Sequence, residues 1–280
     1  MTKLRFMSFS SGSNGNCYLL SDGTNGILID AGVSLRRLKK ELLVRGFSFA
    51  SFQAILVTHD HLDHIRHLGS FCKHLGKPVY ATRTLHDALA RHSFTRDWIG
   101  GCRCVLPVGE SATLCLSSAL RPEDSPVVTY FVVPHDATQT VGYFIQWMGR
   151  KFFLMTDAGR VTPQALEYAG QADTVIFESN YDTDMLFGGP YPHDLKMRIC
   201  SGNGHLSNDE CASAVRKFWH PGLRNLFLCH LSENNNTPSL AFEAVASALS
   251  EIHVDEKTTA KQVTNLQTLP RTSPSAIFDI

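Results

Sequence analysis

The 280-residue chain contains no uninterrupted apolar run approaching the roughly 18 to 20 residues of a membrane helix, which argues against a bilayer-spanning protein. It has no charge of one sign in excess: 26 Lys and Arg stand against 26 Asp and Glu. Any attraction for an anionic ligand therefore has to be local. The eight cysteines lack paired CxxC spacing and read as reduced thiols rather than a disulfide framework, with Cys102 and Cys104 as core thiols. Residues 1–6 alternate polar and apolar side chains without a long apolar signal core, which argues against secretion and makes the cytoplasm the expected compartment. Internal repeats, low-complexity blocks and a clear linker are also missing, so residues 1–280 are expected to form a single domain.

What the chain does have is a succession of short apolar runs separated by turn and helix signals. Strands are expected at 4–8, 17–20, 27–29, 54–57, 127–133, 141–147, 152–155, 174–177 and 226–228, with a last one at 263–269. Ser34 is placed to cap a helix carrying Leu35, Leu38 and Leu42 on one face, with Gly46 just past its end. Thr162-Pro163 and Thr237-Pro238 put proline at a first helical position, and Ser207-Asn208-Asp209-Glu210 matches a capping box. Strands mixed with covering helices throughout predict an α/β sandwich.

The decisive segment is Thr58-His59-Asp60-His61-Leu62-Asp63-His64, directly after the apolar strand at 54–57. His59 and His61, two apart in an extended loop, can point the same way, while Asp63 and His64 turn toward a neighbouring position. Neutral imidazoles and carboxylates together suit Zn, Mn or Fe, and differ from a structural thiolate site. The bland alternative is a His-rich surface loop with incidental metal affinity. Its weight falls because further donors recur in the same setting: His135 follows 127–133, Asp157 follows 152–155 and His230 follows 226–228. Each sits just beyond the C-terminal end of a strand, where sites in α/β architectures gather. A pair of metals about 3.5–4 Å apart needs a bridging group, for which Asp157 is suited.

This set, His59-x-His61-x-Asp63-His64 followed by His135, Asp157 and His230, resembles the metallo-β-lactamase superfamily over nearly the whole chain. The resemblance implies a four-layer αβ/βα sandwich with a dinuclear site at one edge, and matches Asp30 to that superfamily's early supporting Asp. It further implies that His59, His61 and His135 hold one metal, that Asp63, His64 and His230 hold the other, and that Asp157 bridges them. The segments Ser11-Gly12-Ser13-Asn14-Gly15-Asn16-Cys17, Glu178-Ser179-Asn180-Tyr181-Asp182, Gly204-His205-Leu206-Ser207-Asn208 and His230-Leu231-Ser232-Glu233-Asn234-Asn235 are together similar to its YycJ/WalJ branch of bacterial DNA exonucleases. The stretch between Tyr181 and His205 is too short for the inserted domain of β-CASP relatives, and no long arm like that of tRNA-processing relatives is evident.

The resemblance implies phosphodiester hydrolysis of DNA from a 5′ end, with a metal-bridging hydroxide as nucleophile and Asp63 and Asp157 orienting it. His205, just before the helix capped by Ser207, is the candidate phosphate contact or general acid, against the alternative of simple packing at a helix start. Asn14, Asn16, Glu178, Asn180, Arg198 and Ser207 are the candidate substrate-binding residues. For Asn14 and Asn16 plain hairpin chemistry is the competing reading, for Glu178 a structural ion pair, and for Arg198 a solvated helix face. Two rival functions remain: a small-molecule phosphodiesterase or thioester hydrolase using the same metals, and a metal-binding regulatory scaffold without turnover. No obligate protein partner is evident.

Overall fold

The computed structural model describes residues 3–118, 120–255 and 264–280. Its strands are β1 (Arg5–Ser10), β2 (Cys17–Ser21), β3 (Gly26–Ile29), β4 (Ala54–Leu56), β5 (Val79–Ala81), β6 (Arg103–Val105), β7 (Ala112–Thr113), β8 (Val127–Val133), β9 (Thr140–Trp147), β10 (Arg150–Met155), β11 (Thr174–Glu178), β12 (Asn225–Cys229), β13 (Asn265–Thr268) and β14 (Phe278–Asp279). The helices are α1 (Leu35–Val44), α2 (Leu62–Ile65), α3 (Leu68–Leu75), α4 (Arg83–Leu89), α5 (Pro163–Ala169), α6 (Thr183–Gly188), α7 (His193–Cys200), α8 (Asn208–Phe218) and α9 (Pro238–Asp255).

The strands form two sheets, ordered β14-β1-β2-β3-β4-β5-β6 and β13-β12-β11-β10-β9-β8-β7. Side-chain alternation explains why they stack. In β10, Phe152 and Leu154 join the core against the first sheet, while Phe153 and Met155 join a second core under α5, α8 and α9. β12 divides the same way, with Phe227 and Cys229 inward and Leu226 and Leu228 outward. These strands are buried on both faces and therefore read as near-continuous apolar runs. Between the sheets, the Phe6 ring meets Phe152 at 5.5 Å and Phe227 at 5.3 Å between centroids. Removing such a buried ring costs about 3–5 kcal/mol. On the far side of the first sheet, α1, α3 and α4 contribute Leu38, Leu42, Phe71 and Leu85 to the core. The result is the expected four-layer αβ/βα sandwich.

The parallel pairs β3-β4 and β10-β11-β12, with β8 running in the same sense as β10 through two antiparallel steps, put several strand ends on one edge. Asp30, Asp157, Glu178 and His230, together with the loops after β4 and β8, therefore converge there.

Helix starts follow their caps. The Ser34 hydroxyl accepts from Arg37 N–H at 3.3 Å, Thr162 caps α5, and the Ser207–Glu210 box is formed in both directions. Among the described residues, no helix is long and apolar enough to cross a membrane. The expected last strand is β13, and residue 263, like residues 1 and 2, lies outside the described residues. One sequence expectation needs correction. Cys104 is only partly buried in β6, because that edge strand is covered on one side. Arg37 on α1 donates to Phe9 O at 2.8 Å and Thr272 O at 2.6 Å, tying the C-terminal segment to β1.

Candidate metal centre

The loop after β4 turns sharply into α2, with His61 in extended conformation at the helix start. His59 and His61 thereby face His135 from the end of β8, with ring centroids 4.8–5.2 Å apart. Asp63 and His64, on the short helix, meet Asp157 and His230 from the ends of β10 and β12. Ligating atoms within each of these two groups lie within 4.8 Å of one another, a spacing that could hold a metal ion. Asp157 stands between them: Oδ2 is 3.2 Å from His64 Nε2, while Oδ1 is 3.4 Å from His230 Nε2 and 3.8 Å from His135 Nε2. A third set of donors, Asp157, Glu178, His205 and His230, overlaps the second.

Supporting hydrogen bonds fix which ring nitrogens face the centre. His135 Nδ1 donates to Gly204 O at 2.8 Å, and His64 Nδ1 donates to Asp30 Oδ2 at 2.7 Å. Asp30 is fully buried and also accepts from the Thr58 amide and hydroxyl, both at 2.8 Å. Such outer partners orient imidazoles and raise their basicity toward a cation. Nε2 of His59 and Nε2 of His230 are buried without a hydrogen-bond partner. Leaving such an atom unsatisfied costs about 1–3 kcal/mol, and a divalent cation in each donor group would satisfy them. The mixed nitrogen and oxygen donors fit that chemistry.

The charges agree. Burial, reinforced by His64, pushes His59 well below the ordinary imidazole range, and burial lowers His135, so both favour the neutral form a metal requires. Burial would raise Asp63 and Asp157, but the surrounding histidines outweigh it and hold both carboxyls well below their usual range. His230 shows the reverse balance: burial lowers it, yet Asp157, Asp63 and Glu178 push it up to about 10.

Backbone strain marks the same edge. Asp30, Asp157 and His230 adopt positive φ of 61°, 54° and 55°, a left-handed conformation uncommon outside glycine. At each position the chain leaves a strand and turns at once, which swings the side chain into the site.

These groups open into a cleft of about 280 Å³ lined by His61, Asp63, Asp157, His205 and His230, with Ser13, Asp136 and Arg198 also on its wall. Of the six residues expected to touch substrate, Arg198 lines this cleft. Asn14 is exposed beside a smaller depression with Ser13 and Arg271. The other four lie beneath the surface, where their polar atoms are engaged by the protein, the placement of supports rather than contacts. The Asn16 amide faces Asp63 and His64, Glu178 holds His205, the Asn180 amide donates to His230 O at 2.7 Å, and Ser207 caps α8. His205 reaches the cleft, its Nδ1 held by Glu178 Oε1 at 2.8 Å.

Asp136 was not among the expected residues. It pairs with Arg198 Nε at 2.5 Å and stands 3.5 Å from His135 Nε2. Its adjacency to His135 was the available signal.

The sequence matches the family described as Beta-lactamase superfamily domain over residues 25–230. It is 31% identical over 248 residues to exodeoxyribonuclease YycJ of Bacillus anthracis, covering 89% of this chain and 90% of that protein. It is 28% identical over 247 residues to exodeoxyribonuclease WalJ of Streptococcus pneumoniae serotype 2, covering 88% of each. Among solved structures, the metallo-β-lactamase fold protein YhfI from Bacillus subtilis shares the fold with a TM-score of 0.67 at 15% identity, over 99% of both chains. The Zn(2+)-bound PqqB from Methylobacterium extorquens superposes with a TM-score of 0.66 at 16% identity, over 99% of this chain and 100% of that one. The chain belongs to the metallo-β-lactamase superfamily, in the branch of the YycJ and WalJ proteins.

Proposed function

We propose that this metal-dependent hydrolase is a DNA exonuclease that removes nucleotides from a 5′ end, acting in the cytoplasm as a single domain spanning residues 1–280 without an obligate protein partner. The observation that carries the reading is the position of Asp157 between two donor groups that open into one cleft, with Arg198 on its wall. His59, His61 and His135 would hold one divalent cation, Asp63, His64 and His230 a second, and Asp157 would contact both. Such cations, Zn, Mn or Fe, supply Lewis-acid neutralisation of phosphodiester oxygens and lower the pKa of water. The relatives named exodeoxyribonuclease support DNA as the substrate.

The chain's own residues do the rest. Glu178 accepts from His205 Nδ1, which leaves Nε2 as the atom that, in the imidazolium form, would donate to a phosphate oxygen or give its proton to the departing 3′ oxygen and leave the ring neutral. Arg198 on the rim binds a backbone phosphate. Asn16, Glu178, Asn180 and Ser207 hold the ligand-bearing loops, and Asn14 meets the strand from the Ser11–Asn16 turn.

A gel assay on Mn-reconstituted protein tests this, comparing 5′-phosphorylated duplex DNA, single-stranded DNA and RNA labelled at either end, beside Asp157→Ala. Progressive release of the 5′ label as mononucleotide, absent in the variant, is the expected result. Cleavage confined to small diesters or thioesters overturns the DNA reading. Full metal occupancy without any turnover points to the regulatory scaffold.

A further inference from the structure

A second groove of about 210 Å³ lies beside the cleft, across the segment Gly204-His205-Leu206. Gly204 and His205 line the cleft, while Leu206 lines the groove. The groove floor is apolar: Leu206 is buried, and Val161 and Leu166 are partly exposed on the core under α5 and α8. Its edges carry Arg160 and Lys217, both exposed and neither in a hydrogen bond or ion pair among the described residues. Arg216, their neighbour on α8, is by contrast paired with Glu251 at 2.8 Å.

Glu210, the one carboxylate lining the groove, is turned back onto the Ser207 amide at 2.8 Å by the capping box. Arg160 extends toward the segment between α7 and α8, its Nη1 lying 3.8 Å from where a Cβ on Gly202 would stand. Gly159 fixes this approach, because its backbone packs so closely on Asn203 that a Cβ would lie 2.5 Å from Asn203 Cα.

An apolar floor flanked by two unpaired cations, one residue along the chain from a cleft for a phosphodiester, has the chemistry of a single-stranded nucleic acid track. A base has an apolar face to lay on the floor, and the adjoining phosphates need cations. We propose that this groove binds the single-stranded DNA segment adjoining the scissile phosphate, with a base on Val161 and Leu166 and phosphates at Arg160 and Lys217. The inference rests on the DNA reading of the site and extends it by naming where the strand runs.

The test measures fluorescence anisotropy of a nuclease-resistant phosphorothioate single strand on metal-loaded protein, for the wild type and for the double variant Arg160→Ala, Lys217→Ala, across a salt series. Hydrolysis of a small nitrophenyl phosphodiester is followed in parallel, and melting temperature checks the fold. The variant is expected to bind the strand on the order of 10-fold more weakly, with a salt slope shallower by about 0.7 to 1.4. Its small-diester turnover should stay unchanged, since neither residue lines the cleft. Wild-type affinity and slope in a folded variant overturn the groove assignment alone. A wild-type protein that hydrolyses the small diester but binds no strand overturns the DNA reading and the groove with it.

Discussion

Glu178 Oε1 lies 2.8 Å from His205 Nδ1 and 3.2 Å from His230 Nδ1, so one buried carboxylate oxygen sets the orientation of two neighbouring imidazoles, whose ring centroids are 5.2 Å apart. Its other oxygen accepts from the Ala158 amide at 2.8 Å, which ties the residue after Asp157 to the same support. One side chain at the end of β11 thus controls a candidate ligand, a candidate acid and the loop of the candidate bridge.

Glu178→Gln keeps the volume but replaces one of these oxygens by an amino group. Either the two histidines or the Ala158 amide then faces a donor instead of an acceptor. Metal affinity or turnover should fall about 10–100-fold, the usual cost of losing an outer partner of a metal ligand. Chelator competition and steady-state kinetics on the same preparation measure it. Wild-type values for both would show that the carboxylate is only a structural ion pair.

Metal uptake should expel protons. In the metal-free chain His230 titrates near 10, because three carboxylates outweigh its burial, so at neutral pH it carries a proton that a cation has to displace. Metal affinity should therefore rise with pH until about 10. Calorimetry in buffers of different ionisation enthalpy reads the released protons directly. The effect on folding has the opposite sense. The folded value exceeds the unfolded one of 6.5, so the stabilisation from His230 is complete below 6.5 and disappears as pH rises through about 10. Metal binding without proton release at pH 7 would contradict this.

Gly32 is the tightest contact behind the site. A Cβ there would stand 1.8 Å from Asp63 O, and the Gly32 amide donates to Asn16 O at 2.9 Å. Gly32→Ala has to push the Asp63 backbone away and should destabilise the protein by about 3 kcal/mol or more, with loss of metal at the Asp63 position. Urea denaturation with metal quantitation tests both parts. A variant of unchanged midpoint would mean that α2 shifts without cost.

The donors were legible where chemistry is local. The segment from Thr58 to His64 carries its meaning in spacing, and His135, Asp157 and His230 follow apolar runs that really are strands. The left-handed turns at Asp30, Asp157 and His230 left no mark, because neither residue type demands that conformation. β5, β6, β7 and β14 are two or three residues long, too short for alternation to emerge. Support and contact were also indistinguishable in the sequence. Asn16, Glu178 and Arg198 are all polar, and only burial separates the first two from the rim.

Arg198 and Asp136 invite a test that separates two roles for one ion pair. If the guanidinium binds DNA, Arg198→Ala should raise KM for oligonucleotides on the order of 10-fold, leave kcat nearly unchanged and flatten the salt dependence by about 0.7 per lost phosphate contact. If it chiefly restrains Asp136, which stands 3.7 Å from His61 Nε2 and 3.5 Å from His135 Nε2, the change should appear in metal affinity and kcat. Asp136→Asn should then reproduce it. Melting temperature should hardly move in either case, since a solvent-exposed pair contributes about 0–1 kcal/mol. We expect the KM effect. The Arg198 side chain is 63% exposed on the cleft wall, and its Nη groups extend beyond the Nε atom that Asp136 engages.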